Sequence, residues 1–312
     1  MITSVTFIIK KGRVYADITR DSIAEGEKVY IGTNKYPKYL PAQGLSTTVD
    51  LTAYMRSEIT GSLRSLLSGM SNGEVRLYEN YNLATLPRIE YENGATRSAY
   101  EMFFNGKQTD SFGLLTHLPY MQIAEGDSII VSAQTADDDT NSVSVGGATS
   151  ATFNNPYLGA VAITITPTTT AEAIVLSSKI DYDTYRNRIS LRTIPKGMNT
   201  RRLLWRNELG GIDSWYFEFL RESSFGSSSD VFYSANGYTR TNRKSERLHT
   251  VETRELDDIT AEVVAYVIAS PEVYLVESND LVPIDIVTEE CRTYSDTKLS
   301  GVQVSYRKRM RE

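Results

Sequence analysis

The sequence predicts a mainly β protein: antiparallel β-sandwich or barrel domains with one or two short amphipathic helices. Three observations predict it. Tyrosine is abundant, 20 among 312 residues, and with Val, Ile and Thr it falls in short runs bounded by Gly, Asn, Asp and Ser. Many of these runs alternate polar and apolar residues, the period of a half-buried strand. The runs recur roughly every ten residues, which suits sandwiches and barrels better than alternating β-α units.

In chain order, strands are expected over Ser4 to Ile9, Arg13 to Ile18, Lys28 to Ile31 and Glu74 to Tyr78. More follow over Ser128 to Ala133, Ala160 to Thr166, Ala173 to Ser177 and Arg188 to Arg192. A helix is expected over Leu51 to Leu67, capped by Asp50 or Thr52, either continuous or in two pieces because Gly61 weakens its middle. A second is expected over Thr260 to Ala269, its apolar stripe formed by Ile259, Val263, Tyr266 and Val267. Ser270-Pro271 stops it, because a residue before proline avoids the α region. Asp137 to Asn141 followed by Gly146-Gly147 reads as a long polar tip, and Phe225 to Asp230 as a flexible loop. Three units result: 1–95 with the first helix, a sandwich-like 96–195, and 196–312 with the second helix.

Hydrophobic residues make up 40% of the chain and charged residues 23%, an ordinary globular balance with ample core material. The net charge of −6 argues against a general nucleic-acid surface, which needs a basic field. No sequence-specific nucleic-acid binding is expected. The basic end Arg307, Lys308, Arg309, Arg311 stands apart from that balance. Cys291 is the one cysteine, so no internal disulfide is expected; flanking acids disfavour its thiolate, and it reads as a small strand residue. The opening residues carry no signal-peptide pattern and no run approaches membrane-spanning length. Synthesis in a cytoplasm and no membrane partner are expected.

Catalytic motifs are missing from the sequence. His117 and His249 are the only histidines, far apart and without a metal-ligand cluster or a nucleophile elbow. Asp137-Asp138-Asp139 lacks the alternating acids of a calcium loop. Asp181 and Asp183 beside Tyr182 and Tyr185 could serve a glycosidase, but two acids two apart are more often surface charge. Gly210-Gly211 lacks the Lys and Ser/Thr of a phosphate loop. No catalytic, cofactor or metal residue is assigned, and no enzyme is expected.

The segment richest in information is Trp205-Arg206-Asn207-Glu208-Leu209-Gly210-Gly211-Ile212-Asp213-Ser214-Trp215. It holds both tryptophans around a paired-glycine turn. The glycines are expected to supply positive φ, with Asn207 and Asp213 bonding back to the turn. Trp205, Asn207, Gly210, Gly211, Asp213 and Trp215 are therefore candidate structural or interface residues, together with Arg307, Arg309 and Arg311 of the basic end. The tryptophans could instead form a ligand platform, since indole faces stack on sugars and cations; a core or interface role is the favoured reading.

This W-x-N-x-x-G-G-x-D pattern resembles a segment of virion proteins from tailed phages and prophages infecting Bacteroidetes, crAss-like phages among them. The likeness extends over Ser270-Pro271-Glu272-Val273-Tyr274, Leu281 to Ile286, Gly301 to Tyr306 and Thr47 to Arg56. The resemblance implies a structural component of the tail or neck, found in the virion. It would work as a ring or hub by homo-oligomeric assembly with itself and with other tail or neck proteins. Rings repeat one heterologous contact about an axis. The competing expectations are a carbohydrate-binding adhesin or receptor-binding module and, more weakly, a polysaccharide hydrolase. The acidic Asp137 to Asn141 and the basic Arg307 to Arg311 are expected at subunit boundaries, where opposite charges fix register.

Overall fold

A computed structural model describes residues 2–10, 13–22, 28–31, 38–39, 45–52, 61–80, 89–93, 96–100, 103–104, 113–135, 139–146, 148–155, 159–167, 173–180, 183–234, 237–278, 280–291 and 299–309. The chain is mainly β, with antiparallel sheets that include a curled half-barrel. Near the N-terminus, Arg13–Arg20 pairs antiparallel with Ile2–Lys10 on one side and Ser46–Asp50 on the other. Its residues alternate strictly, with Val14, Ala16 and Ile18 in the core. Period-two alternation puts every second side chain on one face, so a single strand supplies a continuous apolar stripe.

The middle of the chain forms two facing sheets. One has the order Gly113–Leu114, Ile129–Thr135, Gly159–Ile165, Val75–Asn80. The other has the order Tyr120–Ala124, Asp183–Ile194, Ala173–Ile180, Asp139–Val145, Ala148–Asn155. Ile129, Val131, Ile163 and Ile165 from the first join Val143, Ile174, Leu176 and Leu191 from the second in one apolar core. Tyr120–Ala124 runs parallel to Asp183–Ile194, and Ile2–Lys10 parallel to Phe103–Phe104. These parallel pairs depart from the expected antiparallel pattern because their strands are joined by long excursions rather than by turns.

The C-terminal part is a seven-stranded sheet, in the order Ile212–Phe217, Arg201–Arg206, Val273–Glu277, Asp280–Ile286, Gln303–Lys308, Gly237–Glu252, Phe219–Ser234. Its inner face (Leu203, Trp205, Trp215, Phe217, Val251, Val304 and Tyr306) joins the same core as the middle sandwich. A second cluster covers the opposite face, where Leu204, Ile212 and Tyr274 meet Leu63, Leu67, Leu115, Ala160 and Ala162.

Several expectations change. The first helix is described over Leu63–Leu67, after Gly61, and its cap is Ser62, which accepts from Ser65 N; residues 53–60 lie outside the described residues. Thr52 is itself helical, and Asp50 accepts from Thr52 N at 2.8 Å there, while Thr52 Oγ1 accepts from Val14 N at 2.9 Å. The second helix spans Asp258–Ala265, capped by Asp257, and tightens to a 3₁₀ turn over Tyr266–Ala269. Its buried face is Thr260, Ala261, Val264, Ala265 and Val267. Of the expected stripe, Val267 is buried and Val263 packs against the core, whereas Ile259 and Tyr266 face solvent. Ser270 leaves the helix, as expected from Pro271.

Two polar stretches are strands. The span 225–230, expected as a loop, lies inside Phe219–Ser234. Low intrinsic strand preference is overridden there by a ladder to Gly237–Glu252 that shifts register between Ser228 and Asp230. Asp139 to Asn141 belong to Asp139–Val145, paired on both sides, and Asn141 is buried; residues 137 and 138 lie outside the described residues. A hairpin turn falls at Gly146, the glycine end of the expected tip, which has a φ of 60°. No helix among the described residues is long and apolar enough to cross a membrane.

Candidate functional site

Arg201–Arg206 and Ile212–Phe217 pair antiparallel, with Leu203 opposite Trp215 and Trp205 opposite Asp213. Alternation sends Trp205 and Trp215 to the sandwich side and Leu204 and Ile212 to the other. Both tryptophans are 0% exposed. The ring of Trp215 lies 5.2 Å from that of Tyr120, at a tilt of 54°, within the favourable range for aromatic pairs. A buried indole face cannot stack on a sugar, so the platform expectation has no surface to act through.

The turn 207–211 is buried as well, apart from Glu208. Its order comes from Asn207. The Asn207 side-chain carbonyl accepts from Gly211 N at 2.9 Å, and its amide donates to Leu115 O at 2.7 Å. Asn207 N in turn donates to Gly211 O at 2.9 Å. Tyr78 OH donates to Gly210 O at 3.1 Å, and Ile212 N donates to Ser132 Oγ at 2.9 Å. The turn is thus clamped to Tyr78, Leu115 and Ser132 of the middle part. Sequence reasoning missed those three, since each comes from a distant run with no motif of its own.

The two glycines play different parts. Gly210 has a φ of 81°, the left-handed region expected of a turn glycine. Gly211 is not in that region. A Cβ on Gly211 would collide with the carbonyl oxygen of Leu115 and sit 2.7 Å from the Leu115 Cβ. Close approach of two backbones, not positive φ, is what requires glycine at 211.

Asp213 also departs from expectation. It lies in a strand, 1% exposed. Burial raises its carboxyl to about 6, against the pull of hydrogen bonds from Thr116 and Asn207. Its Oδ1 and the Trp205 Nε1 opposite it have no hydrogen-bond partner among the described residues. Beside the turn, His117 Nε2 lies 3.0 Å from Glu208 at an exposed position.

Glu272 is a second junction. It accepts from Leu63 N at 2.8 Å and from Tyr274 OH at 2.6 Å, and meets Arg206 at 3.4 Å. Ser270 Oγ donates to Arg206 O at 2.8 Å. The Ser-Pro-Glu-Val-Tyr run therefore braces the tryptophan hairpin from its other edge.

The basic end is placed differently from an extended reaching segment. Arg307 and Lys308 belong to Gln303–Lys308, which pairs with strands on both sides. Lys308 pairs with Glu277 at 2.6 Å and Arg309 with Asp285 at 2.6 Å; Arg311 lies outside the described residues. His249 stacks on Tyr306 at 5.4 Å, and burial, then Lys308 and Arg247, hold its imidazole below the usual value. Cys291 lies outside any strand, half-buried, its thiol 3.2 Å from Gln303 O and pushed up by burial. Asp183 opens the strand Asp183–Ile194, and residue 181 lies outside the described residues. Among the described residues, no group of three His, Cys, Asp or Glu could hold a metal ion.

No family model matches this chain, and no curated protein matches it. Among solved structures it is similar to domains 1–6 of the surface layer protein SbsC, at 9% identity and a TM-score of 0.20. That alignment covers 89% of this chain and 44% of the other, so the chain spans less than half of that protein's length. Superposition at that level supports no inference about fold or function.

Proposed function

We propose that this chain is a structural subunit of a tailed-phage virion, a tail or neck ring or hub protein that acts by oligomeric assembly. The observation that carries the assembly reading is the hairpin of Phe219–Ser234 and Gly237–Glu252, 16 residues in each strand. Among the described residues, only Leu248 to Glu252 of it pair with Gln303–Lys308. Residues 225–234 and 237–247 pair with each other alone among the described residues, which at about 3.3 Å per residue is an arm of roughly 30 Å. An isolated two-stranded ribbon is marginal in water unless something covers it.

The arm also presents apolar side chains to solvent. Val251 and His249 sit on the face that packs around Tyr306 in the body. Register places Phe225 opposite Arg247, on the continuation of that face. Beyond a register shift between Ser228 and Asp230, Val231 and Tyr233 share one side of the ribbon. Phe225 is 68% exposed and Tyr233 77%. A core face that runs on past its own core fits a neighbouring copy as the missing layer. If both faces are covered, a ribbon about 10 Å wide buries several hundred Å² per partner, the scale of a specific interface. The phage setting rests on the resemblance of the tryptophan hairpin segment and its companions.

Light scattering and negative-stain microscopy of the purified full chain test this. A closed ring, or assembly nucleated by neighbouring tail proteins, is the expected result. A monomer at every concentration that binds glycans on an array would favour the adhesin instead.

A further inference from the structure

A cleft of about 530 Å³ opens between the middle part and the tryptophan hairpin. Its polar walls are Asp127, Ser128, Lys196 and Arg202, linked through the Lys196–Asp127 pair and the Arg202–Ser128 bond. Its apolar walls include Met70, Ile130 and Leu281, which pack against the second apolar cluster. Arg202 is only 9% exposed. Its Nη1 donates to Ser128 O at 2.6 Å and its Nη2 to Ser214 Oγ at 3.1 Å. The guanidinium lies 5.3 Å from the Tyr216 ring centre, and its Nε has no partner among the described residues.

The charges of the polar walls do not balance. Asp127 is the acid of the cleft, and it is already held by Lys196 at 2.7 Å and by Tyr216 OH at 2.9 Å. Lys196 and Asp127 cancel. Arg202 forms no ion pair with any described carboxylate. A cation this buried is costly without a counter-charge. Guanidinium is the side chain best shaped to take a planar carboxylate through two parallel bonds.

We propose that this cleft binds a small organic anion: a carboxylate on a short apolar body, with Arg202 as its counter-ion. The carboxylate sits at Arg202, and the apolar body lies toward Met70, Ile130 and Leu281. The volume falls in the range typical of small-molecule sites, about 300–1,000 Å³. This site is independent of the assembly reading, since the arm contributes nothing to it.

Titration calorimetry of the full chain with hexanoate, hexanol and hexylammonium tests the proposal. Hexanoate is expected to bind saturably, with hexanol about tenfold weaker or worse, the value of one charge-assisted contact. Hexylammonium should not bind. Arg202→Met is expected to remove the preference for hexanoate over hexanol. Leu281→Trp, which fills the space along the apolar walls and leaves Arg202 in place, should abolish binding of both. Equal affinity for hexanoate and hexanol, no saturable binding of hexanoate, or undiminished hexanoate binding by folded Arg202→Met would overturn it. If Arg202→Met does not fold, the ligand series and Leu281→Trp decide the matter.

Discussion

Two consecutive hairpins of this protein have opposite fates. Arg201–Arg206 and Ile212–Phe217 are buried on both faces, and their turn is clamped by Asn207 between Gly211 and Leu115. Phe219–Ser234 and Gly237–Glu252 follow after a single residue, and most of their length makes no ladder with any other described strand. Backbone pairing runs along both, unbroken in the first and with two register shifts in the second. What differs is side-chain supply. The first hairpin carries large apolar residues on both faces and can sit between two layers. The second is dense in Ser and charge, so it cannot form a second interior. Local backbone pairing makes a hairpin; the content of its two faces decides whether it becomes core or arm.

The largest expected difference between the two lies in their glycines. Gly211→Val should unfold the protein or destabilise it by about 3 kcal/mol or more, because the new side chain meets the Leu115 backbone, which cannot step aside. Gly237, at the turn of the arm, has a φ of 115° and open space where an alanine methyl would stand. Gly237→Ala should therefore cost only about 1–2 kcal/mol, from backbone strain alone. Chemical denaturation of both variants checks this, and similar losses would erase the contrast.

Next in size is the clamp. Asn207→Ala leaves Leu115 O and Gly211 N buried without their present partner. Each stranded group costs about 1–3 kcal/mol, so a loss of about 2–6 kcal/mol is expected. Asn207→Asp keeps the acceptor for Gly211 N but sets a buried carboxylate against Leu115 O and against Asp213, so it should cost at least as much as Asn207→Ala. A loss below about 0.5 kcal/mol in Asn207→Ala would show that the turn is held by packing instead.

Asp213 gives the buried hairpin a pH dependence. Its carboxyl is raised from 3.8 to about 6 by burial. Between those values the folded chain keeps a proton that the unfolded chain has released, so stability falls as pH rises. A shift of about two units corresponds to about 3 kcal/mol, fully present below about pH 4 and gone above about pH 6. Asp213→Asn keeps a polar group of the same shape and has no charge to bury. Its stability should be flat across that window and exceed that of the parent at pH 7. Parallel curves for the two proteins, measured by urea melts from pH 4 to 7.5, would remove Asp213 as the source.

The fold class and the strands expected from alternation are legible in the sequence, because period-two alternation and bounding turn residues are local signals, whereas strands such as Tyr120–Ala124, Ala148–Asn155 and Gly237–Glu252 do not stand out in it. Lys28–Ile31 and Ala173–Ile180 start where the pattern starts. The tryptophan segment is legible as a hairpin, and Asn207 as its organiser. Illegible are the contacts that make the segment important. Tyr78, Leu115 and Ser132 reach it across 80 to 132 positions, and nothing local marks them. Nor can composition separate a solvated loop from a strand at 225–230, since Ser and Gly suit both until a partner strand arrives. Gly211 stands out in the sequence as a glycine that matters, but for positive φ, whereas the cause is a neighbour 96 positions away that sequence cannot see.

The smallest expected effect on stability, and the sharpest on assembly, belongs to the arm. Phe225→Ser and Tyr233→Ser remove side chains that are largely in solvent. Substitutions at such positions usually change stability by no more than about 0.5 kcal/mol. If the arm is covered by a neighbouring copy, the same side chains become buried anchors, and truncating an aromatic anchor costs about 2 kcal/mol or more at an interface. The double variant should therefore melt like the parent as a monomer while its association weakens by at least about thirtyfold. A matched change in the buried hairpin reverses the pattern: Trp215→Ala should cost about 3–5 kcal/mol of folding and say nothing specific about association. If the arm variant assembles unchanged, the exposed face serves no subunit contact, and the two hairpins differ only in burial and not in role.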